Sequence, residues 1–247
     1  MDITLSPVEA RVLGSLVEKE LTTPEYYPLS LNALVLACNQ KNNRDPVMSL
    51  SEEEVSATLT TLRSKDLAWQ MSTAGGRVPK YEHSLPARLS AIKGETGATH
   101  QDSIVNGRTV ATNQMRPELA VLTALMLRGP LTGGELRGVT GRMYSFKDPA
   151  ELETTIQKLM NWENGPLIVK LPKQPGRKEQ RYAHLFSGDA AAQPGPSEAV
   201  AAVPQAAAPA TGLPLNDRLS VVEQKVAMLL EEVVTLKQAI IALKKPQ

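Results

Sequence analysis

A polar stretch near the N-terminus holds the residue types most suited to binding. It reads LACNQKNNRDPV and covers residues 36–47. Its amide and cationic side chains suit contacts with the phosphates and base edges of DNA, and the candidates are Lys41, Asn43 and Arg44. The alternative is a structural loop, because asparagine tolerates the positive φ at which helices end and Arg44 can pair locally with Asp45. The residues alone leave both interpretations open.

A second cationic stretch, KQPGRKEQR at residues 173–181, has the composition of a hairpin tip. We expect it to contact phosphates, and the alternative is an ordinary solvated turn. Cations of an earlier hairpin and of two helices complete the nucleic-acid-binding candidates. These further candidates are Arg63, Lys65, Arg77, Lys80, Lys158, Lys173, Arg177, Lys178 and Arg181.

Other kinds of site are not indicated. The three histidines and Cys38 lack metal-ligand spacing, and no phosphate-binding loop, nucleophile elbow or HExxH helix occurs. We therefore expect no enzymatic activity, no cofactor and no metal, and we predict Cys38 to be a small core residue. The single cysteine and the lack of a visible signal peptide suggest a cytoplasmic protein. The lack of an 18-residue apolar stretch argues against a membrane span.

Two blocks of the chain resemble each other, and this repeat predicts the elements that position the candidates. Each block is predicted to contain three amphipathic helices followed by a β-hairpin, which is the winged-helix arrangement, a variant of the helix-turn-helix. The matching segments are EARVLGSLV (9–17) with ELAVLTALM (118–126), EVSATLTTL (54–62) with ELETTIQKL (151–159), and KYEH (80–83) with RYAH (181–184). His83 and His184 fall at equivalent positions, which indicates a repeated role in a strand.

The predicted fold is α+β and mainly α, with two tandem winged-helix domains and a C-terminal coiled-coil helix. Composition sets the boundaries, because the connecting segments are rich in Gly and Thr or in Ala and Pro. The predicted segments are 1–92 (first winged-helix domain), 93–114 (linker), 115–186 (second winged-helix domain), 187–213 (disordered Ala/Pro linker) and 214–245 (coiled-coil helix).

The C-terminal segment has an unbroken heptad pattern of apolar residues. β-branched residues alternate with leucines in the a and d positions, which favours a parallel two-stranded coiled coil. The residues predicted to form the dimer interface are Leu219, Val222, Val226, Leu229, Val233, Leu236, Ile240 and Leu243. We therefore expect a homodimer. The alternative is an amphipathic helix that docks on the domains of its own chain.

The chain resembles a known family over roughly residues 4–186. The stretch TTPEYYPLSLNALVLACNQKNNRDPV (22–47) is similar to the signature of the bacterial YceH family, and RGPLTGGELR (128–137) is similar to the signature of that family's second domain. The resemblance implies a cytoplasmic protein with two tandem winged-helix domains. The family is functionally uncharacterised, so the resemblance implies no catalytic or ligand-binding residues.

Charge divides the functional hypotheses into two classes. Residues 114–188 contain 11 Lys and Arg against 7 Asp and Glu, whereas the whole chain has a net charge of only +1. Basic hairpins favour a non-enzymatic protein that binds double-stranded DNA, for example as a transcriptional regulator. The third helix of each block begins with carboxylates, however, which disfavours insertion of that end into a DNA groove. The alternative is a scaffold whose winged helices bind other proteins and whose tail brings copies together.

Overall fold

The first half of the molecule is a helical unit closed by a small sheet. The computed structural model describes residues 3–71, 78–92, 104–105, 108–163, 165–173 and 179–187. Within the first half the elements are α1 (Pro7–Thr22), a short 3-10 helix (Pro24–Tyr26), β1 (Leu29–Ser30), α2 (Leu31–Cys38), α3 (Glu52–Ser64), β2 (Ala68–Met71), β3 (Lys80–His83) and α4 (Leu85–Ile92). Its three antiparallel strands lie in the order β1, β3, β2.

The second half repeats the first with the same strand order. After β4 (Ile104–Val105), β5 (Arg108–Thr109) and α5 (Val110–Gln114) come α6 (Arg116–Arg128), β6 (Leu131–Thr132), α7 (Gly133–Thr140), α8 (Pro149–Met160), β7 (Ile168–Lys170) and β8 (Arg181–His184). The order β6, β8, β7 corresponds to β1, β3, β2. The register agrees as well, since Leu29 pairs with Tyr81 in the first sheet and Leu131 pairs with Tyr182 in the second.

The sequence predicted the α+β class, which is confirmed, and the three helices and hairpin of each half are present. It did not predict β1 and β6, the two-residue strands that add a third strand to each sheet. The predicted linker at residues 93–114 contains β4, β5 and α5, so part of it has regular structure.

Side-chain caps explain where the helices begin. At α1 and α3 the hydroxyls of Ser6 and Ser51 accept the amide of the third helical residue, and the glutamate at that position accepts the amide of the serine. Thr132 forms the same reciprocal capping box at α7, and Asp148 caps α8. These caps satisfy amides that have no partner within the helix.

The two halves share one hydrophobic core. Their buried apolar side chains form a single contiguous cluster, and the described residues of both halves belong to one compact unit. Helices α1 and α6 pack closely because Gly14 has no side chain: a Cβ at that position would lie 3.0 Å from Cδ2 of Leu127. Among the described residues the halves therefore do not have separate cores, and the boundaries at 92 and 115 stay predictions about the repeating unit.

The C-terminal segments predicted from the sequence cannot be compared with the structure, because they lie outside the described residues. The Ala/Pro segment and the heptad helix with its eight predicted interface residues are outside the described ranges, so the coiled coil stays a prediction. No helix within the described ranges is both long and apolar enough to cross a membrane.

The equivalent histidines occupy equivalent strand positions but have different neighbours. His83 is buried on β3, where its Nε2 contacts a carboxylate oxygen of Glu20 and its backbone amide donates to the hydroxyl of Tyr27. His184 is buried on β8 with its ring 5.8 Å from that of Phe186. Burial lowers the pKa of His184 from 6.5 to about 4, because the apolar surroundings disfavour the charged form.

The depressed pKa of His184 predicts that the protein loses stability on mild acidification. Between pH 6.5 and 4 the unfolded chain binds a proton at this position and the folded chain does not, so the free energy of unfolding falls as the pH falls. From pH 7 to pH 5 the loss due to this group is about 2 kcal/mol. Urea unfolding of the wild type and of His184→Phe at both pH values measures it. The variant should lose about 2 kcal/mol less than the wild type, and equal losses would contradict the assignment.

Candidate functional site

The signature loop, residues 39–51 between α2 and α3, is held from inside by a buried arginine. The side chain of Arg44 is fully buried. Its guanidinium forms a bidentate ion pair with Glu18 of α1, at 2.6 Å from Oε2 and 3.1 Å from Oε1. It also donates to the carbonyl of Ala37. The predicted local pairing with Asp45 is replaced by this longer-range pair. Because its donors are used inside the protein, Arg44 is not available to a nucleic acid.

A second buried arginine binds the same loop. Arg11 of α1 is 1% exposed, and its guanidinium donates to the carbonyls of Cys38 and Pro46. Burial lowers the pKa of Arg11, and the nearby charge of Arg44 lowers it further. Cys38 is buried in the core, as predicted, and burial raises the pKa of its thiol.

The loop also joins the first half of the molecule to the second. The backbone amide of Asp45 donates to the carbonyl of Leu127 in α6 at 2.9 Å. Asn43, at φ 58°, accepts a hydrogen bond from Arg128 through its side-chain oxygen at 3.1 Å. Asn43 has the positive φ that the sequence interpretation considered, but it lies within the loop, and α2 ends at Cys38 with a φ of −91° at its cap residue Asn39. The loop is thus a structural bridge.

The exposed part of the signature loop lines a cavity at this junction. The junction cavity has a volume of about 410 Å³ and is walled by the end of α1, residues 40–43, the end of α6 and the end of α7 with the turn that follows. Four cationic side chains and one carboxylate face it: Lys19, Lys41, Arg128, Arg142 and Glu18. The loop therefore contributes both to the core and to a cationic concave surface.

Each helix candidate bonds to another side chain of the protein. Lys65 is 2.6 Å from Glu9, and Lys158 bonds to the equivalent Glu118. Arg63, exposed at the end of α3, bonds to Gln70. Lys65 and Lys158 therefore serve first to neutralise buried carboxylates of α1 and α6.

The first turn of α3 is acidic. It contains Glu52, Glu53 and Glu54, of which Glu54 accepts the amide of Ser51. A hydrogen bond to a backbone amide lowers the pKa of Glu53. In α8 Glu151 accepts from the hydroxyl of Tyr144 and the amide of Lys147. Negative groups therefore lie at the N-terminal ends of both α3 and α8.

The hairpin candidates are partly described. Lys80 is half-buried on β3, Lys173 is exposed after β7, and Arg181 lies 4.0 Å from Glu135. Arg77, Arg177 and Lys178 lie outside the described residues, in the segments that connect β2 to β3 and β7 to β8. In the described part of the chain no group of three or more His, Cys, Asp or Glu residues could hold a metal ion.

Sequence reasoning missed the residues that matter most at the junction. Arg11 stands on a helix whose other inward positions are mainly apolar, and this charge at a core position was the available signal. Arg128 lies within the second signature stretch, RGPLTGGELR. No local pattern indicates that it meets Asn43, which is 85 residues away.

The buried pair predicts a large stability effect at Arg44. Arg44→Met leaves Glu18 and the Ala37 carbonyl without their buried partner, and loss of one member of a buried pair costs about 3–5 kcal/mol. Arg44→Lys should recover only part of the lost stability, because an ammonium cannot form the bidentate ion pair. Urea unfolding at pH 7 measures both.

Lys41→Met is the matched control, since it removes an exposed cation from the same loop and should change stability by less than about 0.5 kcal/mol. An Arg44→Met protein as stable as this control would show that the pair does not hold the loop.

Comparison with known proteins gives a consistent result. Residues 5–177 match the family described as "Protein of unknown function, DUF480". The chain is also similar to bacterial proteins that are each named "UPF0502 protein". It is 50% identical to one from Geotalea daltonii over 202 residues (81% of each chain), 52% identical to one from Citrifermentans bemidjiense over 190 residues (76% of each), and 44% identical to one from Pelobacter propionicus over 242 residues (97% of this chain and 96% of the relative). The last similarity extends well past residue 187, beyond the region in which the sequence signatures lie.

Proposed function

The chain belongs to the DUF480 (UPF0502) family of bacterial proteins, consistent with its YceH-type signature, and we propose that it is a non-enzymatic tandem winged-helix protein that binds double-stranded DNA. The observation that carries this proposal is the repeated unit itself. Helix, strand, two helices and a strand pair follow one another twice, with the same strand order and the same register. This is the order of elements in a helix-turn-helix unit with a β-wing.

In this proposal the hairpins, not the third helices, contact DNA. Carboxylates cap the N-terminal ends of α3 and α8, and these would repel phosphates. Lys173 and Lys170 are exposed on the second hairpin, and Arg177 and Lys178 follow in the segment that completes it. Cations at such a tip bind phosphates, which position a protein on DNA without reading its sequence.

DNA binding should therefore be salt-dependent and weakly sequence-specific. We expect the full-length protein to bind a mixed-sequence duplex with a log–log salt slope of several units, and replacement of Lys173, Arg177 and Lys178 by glutamine should lower the slope by about 3. Fluorescence anisotropy between 25 and 200 mM KCl measures the slope.

Glu52→Gln with Glu53→Gln is the companion variant. Tighter binding by this variant would show that α3 faces the phosphates after all, and unchanged binding supports contact through the hairpin. No binding at 25 mM KCl would contradict the DNA proposal.

A scaffold that binds other proteins is the second candidate, and exposed apolar side chains favour it. Leu36 of α2 is 65% exposed, Val47 in the signature loop is 56% exposed, and Trp69 of β2 is 41% exposed. Large apolar side chains at the surface are typical of protein contacts when they form a contiguous patch. The acidic start of α3 suits this function better than it suits DNA.

Homodimerisation through the heptad segment is the remaining part of the proposal. A chain of 26.7 kDa should form a species of twice that mass. Charged residues at a and d positions, as in Val226→Lys with Leu229→Lys, should abolish the dimer because they place charges in the apolar seam. Multi-angle light scattering of both full-length proteins measures this. A monomeric wild type would contradict the dimer. The heptad pattern would then indicate an amphipathic helix that docks on the domains of its own chain.

A further inference from the structure

The junction cavity has more positive charge than the fold requires. Lys19 and Arg128 lie in the last turns of α1 and α6, where cations offset the negative end of the helix dipole. Lys19 is also 3.7 Å from Glu18, and Arg128 binds Asn43. These two cations have structural explanations.

The other two cations lack a side-chain partner among the described residues. Lys41 and Arg142 are exposed, and neither forms an ion pair with another described residue. Both follow helix ends and line the same cavity. The one carboxylate there, Glu18, is already bound to Arg44 at 2.6 Å. The cavity thus concentrates positive charge that nothing in the described structure neutralises.

Some carbonyls at the helix ends in the wall already accept hydrogen bonds. Three helices, α1, α6 and α7, end in the wall of the cavity, and free carbonyls at such ends would favour a cation. At α1 the carbonyls of Glu18 and Lys19 already accept from the hydroxyls of Thr22 and Thr23. At α7 the carbonyl of Leu136 accepts from Thr140. These carbonyls are therefore less available to a ligand. The ammonium group of Lys41 and the guanidinium group of Arg142, by contrast, remain available.

The rest of the lining defines what could fit beside an anion. Side chains of Leu127, Val139 and Met143 give the cavity an apolar wall, and the amides of Gln40 and Asn42 add hydrogen-bonding groups. A volume of about 410 Å³ is in the range of cavities that hold small ligands. We propose that the junction cavity binds a small organic anion that carries a phosphate or two or more carboxylates, held by Lys41, Arg142 and Arg128.

An anion bound there would contact both halves of the molecule. Lys41 belongs to the signature loop of the first half, and Arg142 follows α7 in the second. Occupancy would replace repulsion between like charges by attraction to a shared anion. The ligand would therefore stabilise the junction and raise the melting temperature, because it binds the folded chain only. This site does not depend on the proposed binding of DNA.

Isothermal titration calorimetry of the full-length protein tests the site with two simple probes, pyrophosphate and citrate, at constant ionic strength. We expect at least one of them to bind with a dissociation constant below 1 mM. Lys41→Gln with Arg142→Gln should weaken that binding at least tenfold. Both residues are exposed, so the double variant should fold, and its thermal melting without ligand verifies this.

The matched control is Arg137→Gln with Lys147→Gln, which removes two exposed cations of the second half that do not line the cavity. Its affinity for the probe should equal that of the wild type. Equal weakening in both double variants would show non-specific attraction and overturn the proposal. Binding of neither probe up to 5 mM would overturn it as well. Preference for pyrophosphate or for citrate assigns the ligand to phosphates or carboxylates.

Discussion

The pair between Arg44 and Glu18 is the constraint on which the position of the signature loop, and with it the contacts of this loop with the second half, depends. It fixes a loop of polar residues against α1 from the inside, where the alternative would be an exposed segment free to move. Once the loop is fixed, the amide of Asp45 reaches the carbonyl of Leu127 and Asn43 reaches Arg128. A buried guanidinium is costly to desolvate, and it is stable here because carbonyls and a carboxylate satisfy it together. The same loop then presents Lys41 to the junction cavity.

The two halves share a topology but differ in the polar groups built into it. Glu9 and Glu118 occupy equivalent buried positions, yet the first accepts from Thr61 and Lys65 and the second from Lys158. The imidazole of His83 contacts the carboxylate of Glu20, whereas the imidazole of His184 lies beside the ring of Phe186. The loop between α2 and α3 spans 13 residues, against 8 between α7 and α8. The longer loop supplies part of the bridge to the second half, which in turn donates to the first half through Arg116.

Local signals made the helices predictable, and long-range contacts limited the rest. Serine caps and apolar stripes act within a few residues, so α1 and α3 could be located from the sequence. The strands β1 and β6 have two residues each and exist only because β3 and β8 pair with them. Arg44 was recognisable as a cation, but its burial depends on Glu18, 26 residues earlier. The shared core and the cavity depend on contacts between residues as far apart as Leu21 and Arg116. No periodic pattern in the sequence indicates such contacts.

The acidic helix starts bear on how any DNA target would be chosen. A winged-helix unit reads base edges with the N-terminal part of its third helix, and in α3 this part is closed by a capping box and three carboxylates. Contacts through the hairpins position a protein on the duplex but do not read its sequence. Selectivity would then have to come from geometry. A dimer of the proposed kind would present four units, and linked weak sites bind tightly only where their spacing matches the target. In such a protein the rigidity of the junction between the halves, and hence the Arg44 pair, would determine which targets are bound.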